Sequence, residues 1–212
     1  MRLKENKVNA LRSGIYIFEG IDNVGKTTVV KELKEKLSKE MDYECEIVAF
    51  PGNEERTLGA LVYDIHHHEK KYFDYAINDA SLQLLHIASH IDLIQRKLLK
   101  EHSSTKIILM DRFWWSTYAY GLSGSLESDI VKTILASELM YWEKININKI
   151  FLLERKDREK DYETDKDNLI LQNYRELASK EPKCQVINND GSLDSVITII
   201  LNQIIGELSL WS

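Results

Sequence analysis

At 212 residues with 43% apolar side chains, the chain is long enough to bury one substantial core and short enough to argue against a second, so one domain over 1–212 is expected. Its 28 basic and 34 acidic residues leave a net charge of -6, which repels polyphosphate backbones and argues against a nucleic-acid partner, though not against a small anion in a local cationic pocket. Two isolated cysteines, Cys45 and Cys184, frame neither a disulfide scaffold nor a zinc cluster, and no apolar run reaches signal-peptide or membrane-spanning length, so the expected location is the reducing cytoplasm, away from membranes.

The first expected strand, Ile15 to Glu19, leads into GIDNVGKTT, where Gly20, Gly25, Lys26 and Thr27 satisfy G-x-x-x-x-G-K-[ST]. Such a loop lets successive backbone N–H groups and a helix N-terminus surround a phosphate. Gly20 and Gly25 permit the turn, Asn23, Val24 and Thr28 complete the cradle, Lys26 bridges the β- and γ-phosphates, and the Thr27 hydroxyl suits Mg²⁺. Val29, Val30, Leu33 and Leu37 then recur at helical spacing beside alternating Lys and Glu.

A second strand is expected from Glu46 to Phe50, followed by Pro51. His66, His67 and His68 read as a surface run after a helix. From Ser81 to Leu99 a long helix is expected to bury Leu84, Ala88, Ile91 and Leu98. It also carries His86 and His90 at i, i+4, on one face. That spacing can chelate zinc, but no Glu follows His86 and no Cys is near, so the pattern argues against a metal there.

The third strand, Ile107 to Asp111, ends in Asp111-Arg112, a carboxylate and a guanidinium at the C-terminal tip where doubly wound sheets bind ligands. Asp111 could organise Mg²⁺ waters and Arg112 could grip a phosphate. A helix from Leu126 to Ile145 is expected to bury Ile130, Ile134, Leu139 and Trp142, and a fourth strand runs from Ile150 to Leu153. Glu154 to Asp167 is nearly all charge, the composition of a mobile loop or an exposed helix end. A fifth strand, Cys184 to Asn188, follows Pro182. The last helix, through Val196, Ile197, Ile200, Ile204 and Leu208, begins after Asp190-Gly191 with Ser192 as its cap.

Short branched runs alternating with helical segments predict an α/β fold with a parallel sheet covered on both faces. At this level the chain resembles the thymidylate kinase family of P-loop nucleoside-monophosphate kinases. The resemblance rests on EGIDNVGKTT, on FPG at Phe50 to Gly52, on Leu58-Gly59, on DRFWWSTYAYG at Asp111 to Gly121 and on DYE at Asp161 to Glu163, in family order over most of the chain. It implies a three-layer P-loop kinase fold with a five-stranded parallel sheet and a mobile lid at about 154–167. It also implies ATP and a nucleoside monophosphate as substrates, Mg²⁺ as cofactor, and a homodimer packed through long helices.

Carried over by position, the resemblance makes Asp22 the carboxylate near the transferring phosphoryl group and assigns Asp111 and Arg112 to the acceptor. Phe50, Pro51, Ser116, Tyr120 and Tyr162 are implied to line the acceptor pocket, with Tyr120 crowding a ribose 2′-hydroxyl. The other rings of that stretch, Phe113, Trp114, Trp115 and Tyr118, are expected to pack in the core. His86 and His90 occupy positions where the family has a base-stacking Phe and a base-reading Arg. Arg56 stands near the family's acceptor-phosphate Arg, whose own spacing falls on Asn53. The expected reaction is transfer of the ATP γ-phosphoryl group to dTMP. The alternatives are a deoxynucleoside kinase with Glu54 or Glu55 as base, and a nucleotide-binding protein that has lost acceptor recognition.

Asn23 follows Asp22 where some members carry an Arg, so the lid must supply the cation for the transferring group, from Arg155 or Arg158. Replacing the responsible arginine by Ala is expected to lower turnover about a thousandfold, within the range of such cations. Steady-state ATP turnover measures this, and unchanged rates in both single variants would remove the lid from the chemistry.

Overall fold

The computed structural model describes residues 13–52, 54–99, 106–124, 126–155 and 165–210. Five parallel strands, β1 (Gly14–Glu19), β2 (Cys45–Ala49), β3 (Ile107–Asp111), β4 (Lys149–Glu154) and β5 (Cys184–Asn188), form one sheet in the order β2-β3-β1-β4-β5. The expected third and fifth strands coincide with β3 and β5, and the others differ by one residue at either end. β1, β3 and β4 lie inside the sheet and are apolar along their length because helices cover both faces, whereas edge strand β5 leaves Val186 52% exposed.

Seven α-helices connect and cover the strands: α1 (Lys26–Glu35), α2 (Leu58–His67), α3 (Asp79–Leu93), α4 (Trp114–Ser123), α5 (Ser128–Trp142), α6 (Asp165–Lys180) and α7 (Leu193–Leu210). From β1 the chain steps outward past β3 to β2, and from there every later step runs the opposite way across the sheet. Right-handed crossovers therefore put α1 on one face and α2 through α6 on the other. The packing agrees: α1 touches α7, while α3, α4 and α5 touch one another and α4 touches α6. Leu33, Leu37, Ile197 and Ile200 are sealed beneath the first layer.

Two expected helix faces are rotated. In α3 the buried residues are Ile87, Ser89, His90 and Leu93, while Leu84 is 48% exposed and Ala88 is exposed as well. In α5 the buried stripe is Val131, Leu135, Glu138 and Trp142, and Ile130 is 42% exposed. Both helices carry apolar side chains on two adjacent faces, so hydrophobicity alone could not choose between them. The chosen faces contain His90 and Glu138, which tolerate burial because they pair with each other. α3 also gives way at Ile94 to a π-helical turn (Ile94–Leu98), which completes the long helix expected there. Helices α2, α4 and α6 had no periodicity that announced them.

α2 is held against the loop after β2. Thr57 caps it by accepting the Ala60 N–H at 3.2 Å, and Gly59 lies so close to the loop that a Cβ there would stand 2.0 Å from the Pro51 carbonyl oxygen. Gly59→Ala is expected to displace the Phe50-Pro51-Gly52 loop and cost about 1–3 kcal/mol. A thermal melt lowered by several degrees is the expected result; an unchanged midpoint would mean the loop yields freely.

Candidate functional site

The loop after β1 owes its shape to its glycines. Gly20 has φ 142 and Gly25 φ 99, and a Cβ would meet the Leu153 carbonyl oxygen at 2.4 Å at the first and Asn189 Nδ2 at 2.6 Å at the second. Asn189, just beyond β5, donates to the Val24 carbonyl at 2.7 Å and braces the loop from that side. α1 starts directly from Gly25 with no acidic residue in its first turn, so its positive end faces the loop unopposed. Lys26 is buried, and its ammonium donates to the Gly20 and Ile21 carbonyls at 2.8 and 2.9 Å. Burial, and secondarily the Arg112 charge, lower its pKa to about 8.

Asp111 stands level with Phe18 of β1 and Ala49 of β2. That register brings its carboxylate to the Thr27 hydroxyl, which donates to Oδ2 at 2.6 Å. A hydroxyl and a carboxylate side by side are hard oxygen donors. They fit Mg²⁺, which takes one or two protein groups and completes its shell with water and phosphate oxygens. No cluster of three or more His, Cys, Asp or Glu side chains able to hold a metal occurs among the described residues.

Arg112 adopts φ 76, and its guanidinium turns toward the P-loop. It pairs with Asp22 and donates to the Ser116 hydroxyl at 2.8 Å. Beneath it lies Glu19, fully buried at the tip of β1. Its carboxylate accepts the Phe113 and Ser116 N–H groups at 2.9 and 3.1 Å, the Ser116 hydroxyl at 2.8 Å and the Tyr174 hydroxyl at 3.0 Å. Burial holds the Glu19 pKa above the usual range despite Arg112 and these donors. At Asp22 burial also acts upward, but Arg112, Tyr120 and Lys26 outweigh it and hold that carboxyl below the usual range. Tyr120 accepts the Asp22 N–H at 3.1 Å, and its ring lies 5.6 Å from the Arg112 guanidinium.

Toward β2 and α3 the cleft has an aromatic end. Phe50 stacks on His90 with centroids 4.0 Å apart and planes 9° from parallel. His90 Nδ1 lies 3.1 Å from Glu138 Oε2, and Glu138 Oε1 accepts the Trp142 indole N–H at 3.0 Å. His86 Nε2 is 3.1 Å from His66 Nδ1. Burial, then the neighbouring histidines, pushes His86 down to about 3, and burial likewise lowers His66. His66 and His67 belong to the last turn of α2 instead of following it, and although exposed both line the cleft.

One cleft of about 950 Å³ joins these parts, and both Lys26 and Arg112 line it. The expected residues it brings together also include Asp22, Asn23, Gly25, Thr27, Thr28, Phe50, Pro51, His86, His90, Asp111, Ser116 and Tyr120. Gly20 and the buried Val24 shape the loop from behind. Arg56 is exposed with φ 62, Arg155 sits just past β4, and neither lines the cleft. Arg158 and Tyr162 fall outside the described residues, as does Asn53. Among the described residues of the charged segment, Lys166 of α6 is a cation that lines it. Sequence reasoning missed Glu19, Glu138, Tyr174, Asn189 and His66 as parts of this arrangement. Glu138, four residues before the buried Trp142, was the most legible of them.

Phosphate oxygens favour the ammonium form of lysine, so an anion entering the loop raises the depressed Lys26 pKa. Below pH 8 the group is already charged; between about 8 and the ordinary value of 10.5 nucleotide binding is expected to take up a proton, weakening as pH rises. Calorimetric titration with ATP at pH 9, in buffers of different ionisation heat, reads this directly. Net uptake near zero in the native protein, or uptake undiminished in Lys26→Arg, would contradict the assignment.

The family model described as thymidylate kinase matches residues 18–203. A thymidylate kinase of Thermoanaerobacter sp. (strain X514) is 35% identical over 118 residues, 55% of this chain and 55% of that protein, so the matched segment spans about half the relative's length. A thymidylate kinase of Ureaplasma parvum serovar 3 is 23% identical over 194 residues, covering 87% and 82% of the two chains. Among solved structures, thymidylate kinase from Ehrlichia chaffeensis superposes with a TM-score of 0.71 at 21% identity, over 91% of this chain and 98% of that one, a likeness of fold. With the family model matching residues 18–203, a span that holds the P-loop and the Asp-Arg strand tip, the chain belongs to the thymidylate kinase family.

Proposed function

We propose that the chain transfers the γ-phosphoryl group of ATP to dTMP, giving ADP and dTDP. The observation that carries this reading is the shared cleft: a phosphate-binding loop with Lys26 and, across from it, Arg112 at a neighbouring strand tip. Two phosphorylated ligands can meet end to end only in such a space. Edge-side β2 and β3 give the acceptor half, where Phe50 and Arg112 sit, and the β5 side, where Asn189 braces the loop, gives the donor half.

A phosphate oxygen of the acceptor attacks the γ-phosphorus as its bond to the β–γ bridging oxygen breaks, and ADP departs with no covalent enzyme intermediate. The work of the protein is positioning and charge neutralisation. Lys26 exchanges two loop carbonyls for phosphate oxygens, and the loop N–H groups with the N-terminus of α1 hold the β-phosphate. Arg112 exchanges its Asp22 partner for the acceptor phosphate, kept in line by Ser116. The Thr27 hydroxyl and Asp111 would hold Mg²⁺, which would supply further charge neutralisation for the transferring group. Tyr120 narrows the sugar pocket toward deoxyribose, and Arg155, Arg158 and Lys166 are the cations available from the lid side.

The nucleoside-kinase alternative needs a carboxylate base in the cleft. Glu54 is paired with Lys97 instead, and neither Glu54 nor Glu55 lines the cleft. We place the enzyme in the cytoplasm as one domain and as a homodimer. Exposed Leu58, Leu61 and Leu84 on the packed helices α2 and α3 support the dimer, and no helix among the described residues is long and apolar enough to cross a membrane.

The test supplies Mg-ATP with a panel of nucleosides and monophosphates and follows ADP release above the ATP-only rate. dTMP is expected to stimulate release, and Arg112→Ala to lower kcat/KM for it about a hundredfold, the scale of a lost charge-assisted contact. Stimulation by thymidine but not dTMP would favour the nucleoside-kinase reading. ATP binding that no acceptor turns into release would favour a silent binding protein.

A further inference from the structure

Three buried carboxylates stand out in this fold. Glu19 supports Arg112, and Glu154 pairs with Arg175. Glu138 is fully buried and has no part in the phosphate chemistry, yet it is bonded to a residue that lines the cleft. The Trp142 indole N–H can only donate, and it occupies Oε1. With Glu138 ionised, a carboxylate oxygen facing a bare ring nitrogen at 3.1 Å would set two acceptors against each other, a conflict relieved when His90 Nδ1 carries the proton. In the neutral ring Nε2 then carries the lone pair.

That second nitrogen is not sealed away. The Tyr16 hydroxyl is the sole fully enclosed side-chain polar atom without a partner among the described residues. Nε2 of His90 has no partner among them either, so it is open to the cleft that the ring lines. The stack on Phe50, at 4.0 Å and 9°, fixes the plane in which it points. Burial pushes His86 down to about 3, so it adds no competing charge beside it.

We propose that Glu138 is a positioning residue which fixes the His90 tautomer, so that the base end of the cleft presents a hydrogen-bond acceptor and selects a ring N–H over a ring lone pair. This deepens the phosphotransfer reading and rests on it for the location of the acceptor base. Thymine carries N3–H and meets an acceptor with a donor. Cytosine carries a lone pair on N3 and meets it with repulsion. A site built around one such polar contact rejects the mismatched base because the buried group is left unpaired.

Glu138→Gln keeps the shape of the side chain. Its carboxamide oxygen can accept from Trp142 and its NH₂ can donate to Nδ1, which moves the histidine proton to Nε2 and reverses the polarity of the base contact. Calorimetric binding of dTMP and dCMP to the full chain is the primary measurement. The native protein is expected to prefer dTMP by about tenfold or more, and Glu138→Gln to shrink that ratio about tenfold, the scale of one hydrogen bond traded for a repulsion. In turnover the loss is expected in KM for dTMP with kcat nearly kept. A preference unchanged in a variant with a native-like melt overturns the proposal, as does a native protein that binds both equally. Should the variant not fold, ¹⁵N spectra of the native histidines decide: the Nδ1-protonated tautomer is expected at His90, and the Nε2-protonated one overturns the assignment. Selective dTMP binding without phosphorylation would defeat the phosphotransfer reading and leave this one standing.

Discussion

The Arg112 side of this site hangs on one buried carboxylate. Removing Glu19 from water costs several kcal/mol unless donors replace the lost hydration, and the fold supplies them from β3's continuation, from α4 and from α6. Those donors come from two separate stretches of chain, Phe113–Ser116 and Tyr174, so satisfying Glu19 also sets where the stretches meet. The Phe113 and Ser116 amides draw the start of α4 against the tip of β1, and the turn between β3 and α4 leaves Arg112 in the left-handed region. Its side chain is thereby aimed across the cleft instead of along the sheet. Arg112 in turn offsets the buried charge that placed it.

The same economy holds on the P-loop side. Lys26 gives hydrogen bonds to the carbonyls of its own loop, and Arg112 pairs with Asp22. Both cations are held at the cleft by partners that an anion can displace. Since a buried cation with good partners needs less reorganisation than a solvated one, such a site begins preorganised for negative charge. The depressed Lys26 pKa reflects that burial and the nearness of Arg112.

The aromatic end is organised differently, by rings and by paired groups. Phe50, His90, Glu138 and Trp142 form a continuous chain from the tip of β2 through α3 to α5. It explains why the helix faces that bury are not the most apolar ones available. A histidine and a glutamate that look like surface residues one at a time become interior residues as a pair. Burying either alone would leave an unsatisfied polar group costing about 1–3 kcal/mol, whereas together with Trp142 they are satisfied.

Local chemistry was readable directly from the residues. The P-loop needs glycines and a lysine at fixed spacing because backbone geometry and reach demand them, and the strands announced themselves because both faces of a central parallel strand must be apolar. Strand ends fell within a residue of expectation for that reason, and Asp111 and Arg112 could be placed at a strand tip. What no local pattern holds is which distant side chains meet. Glu19 with Ser116 and Tyr174, His90 with Glu138, and His66 with His86 are pairings across separate elements. Whether a polar residue lies inside depends on finding such a partner, and only the packing of α2, α3 and α5 around the cleft supplies it.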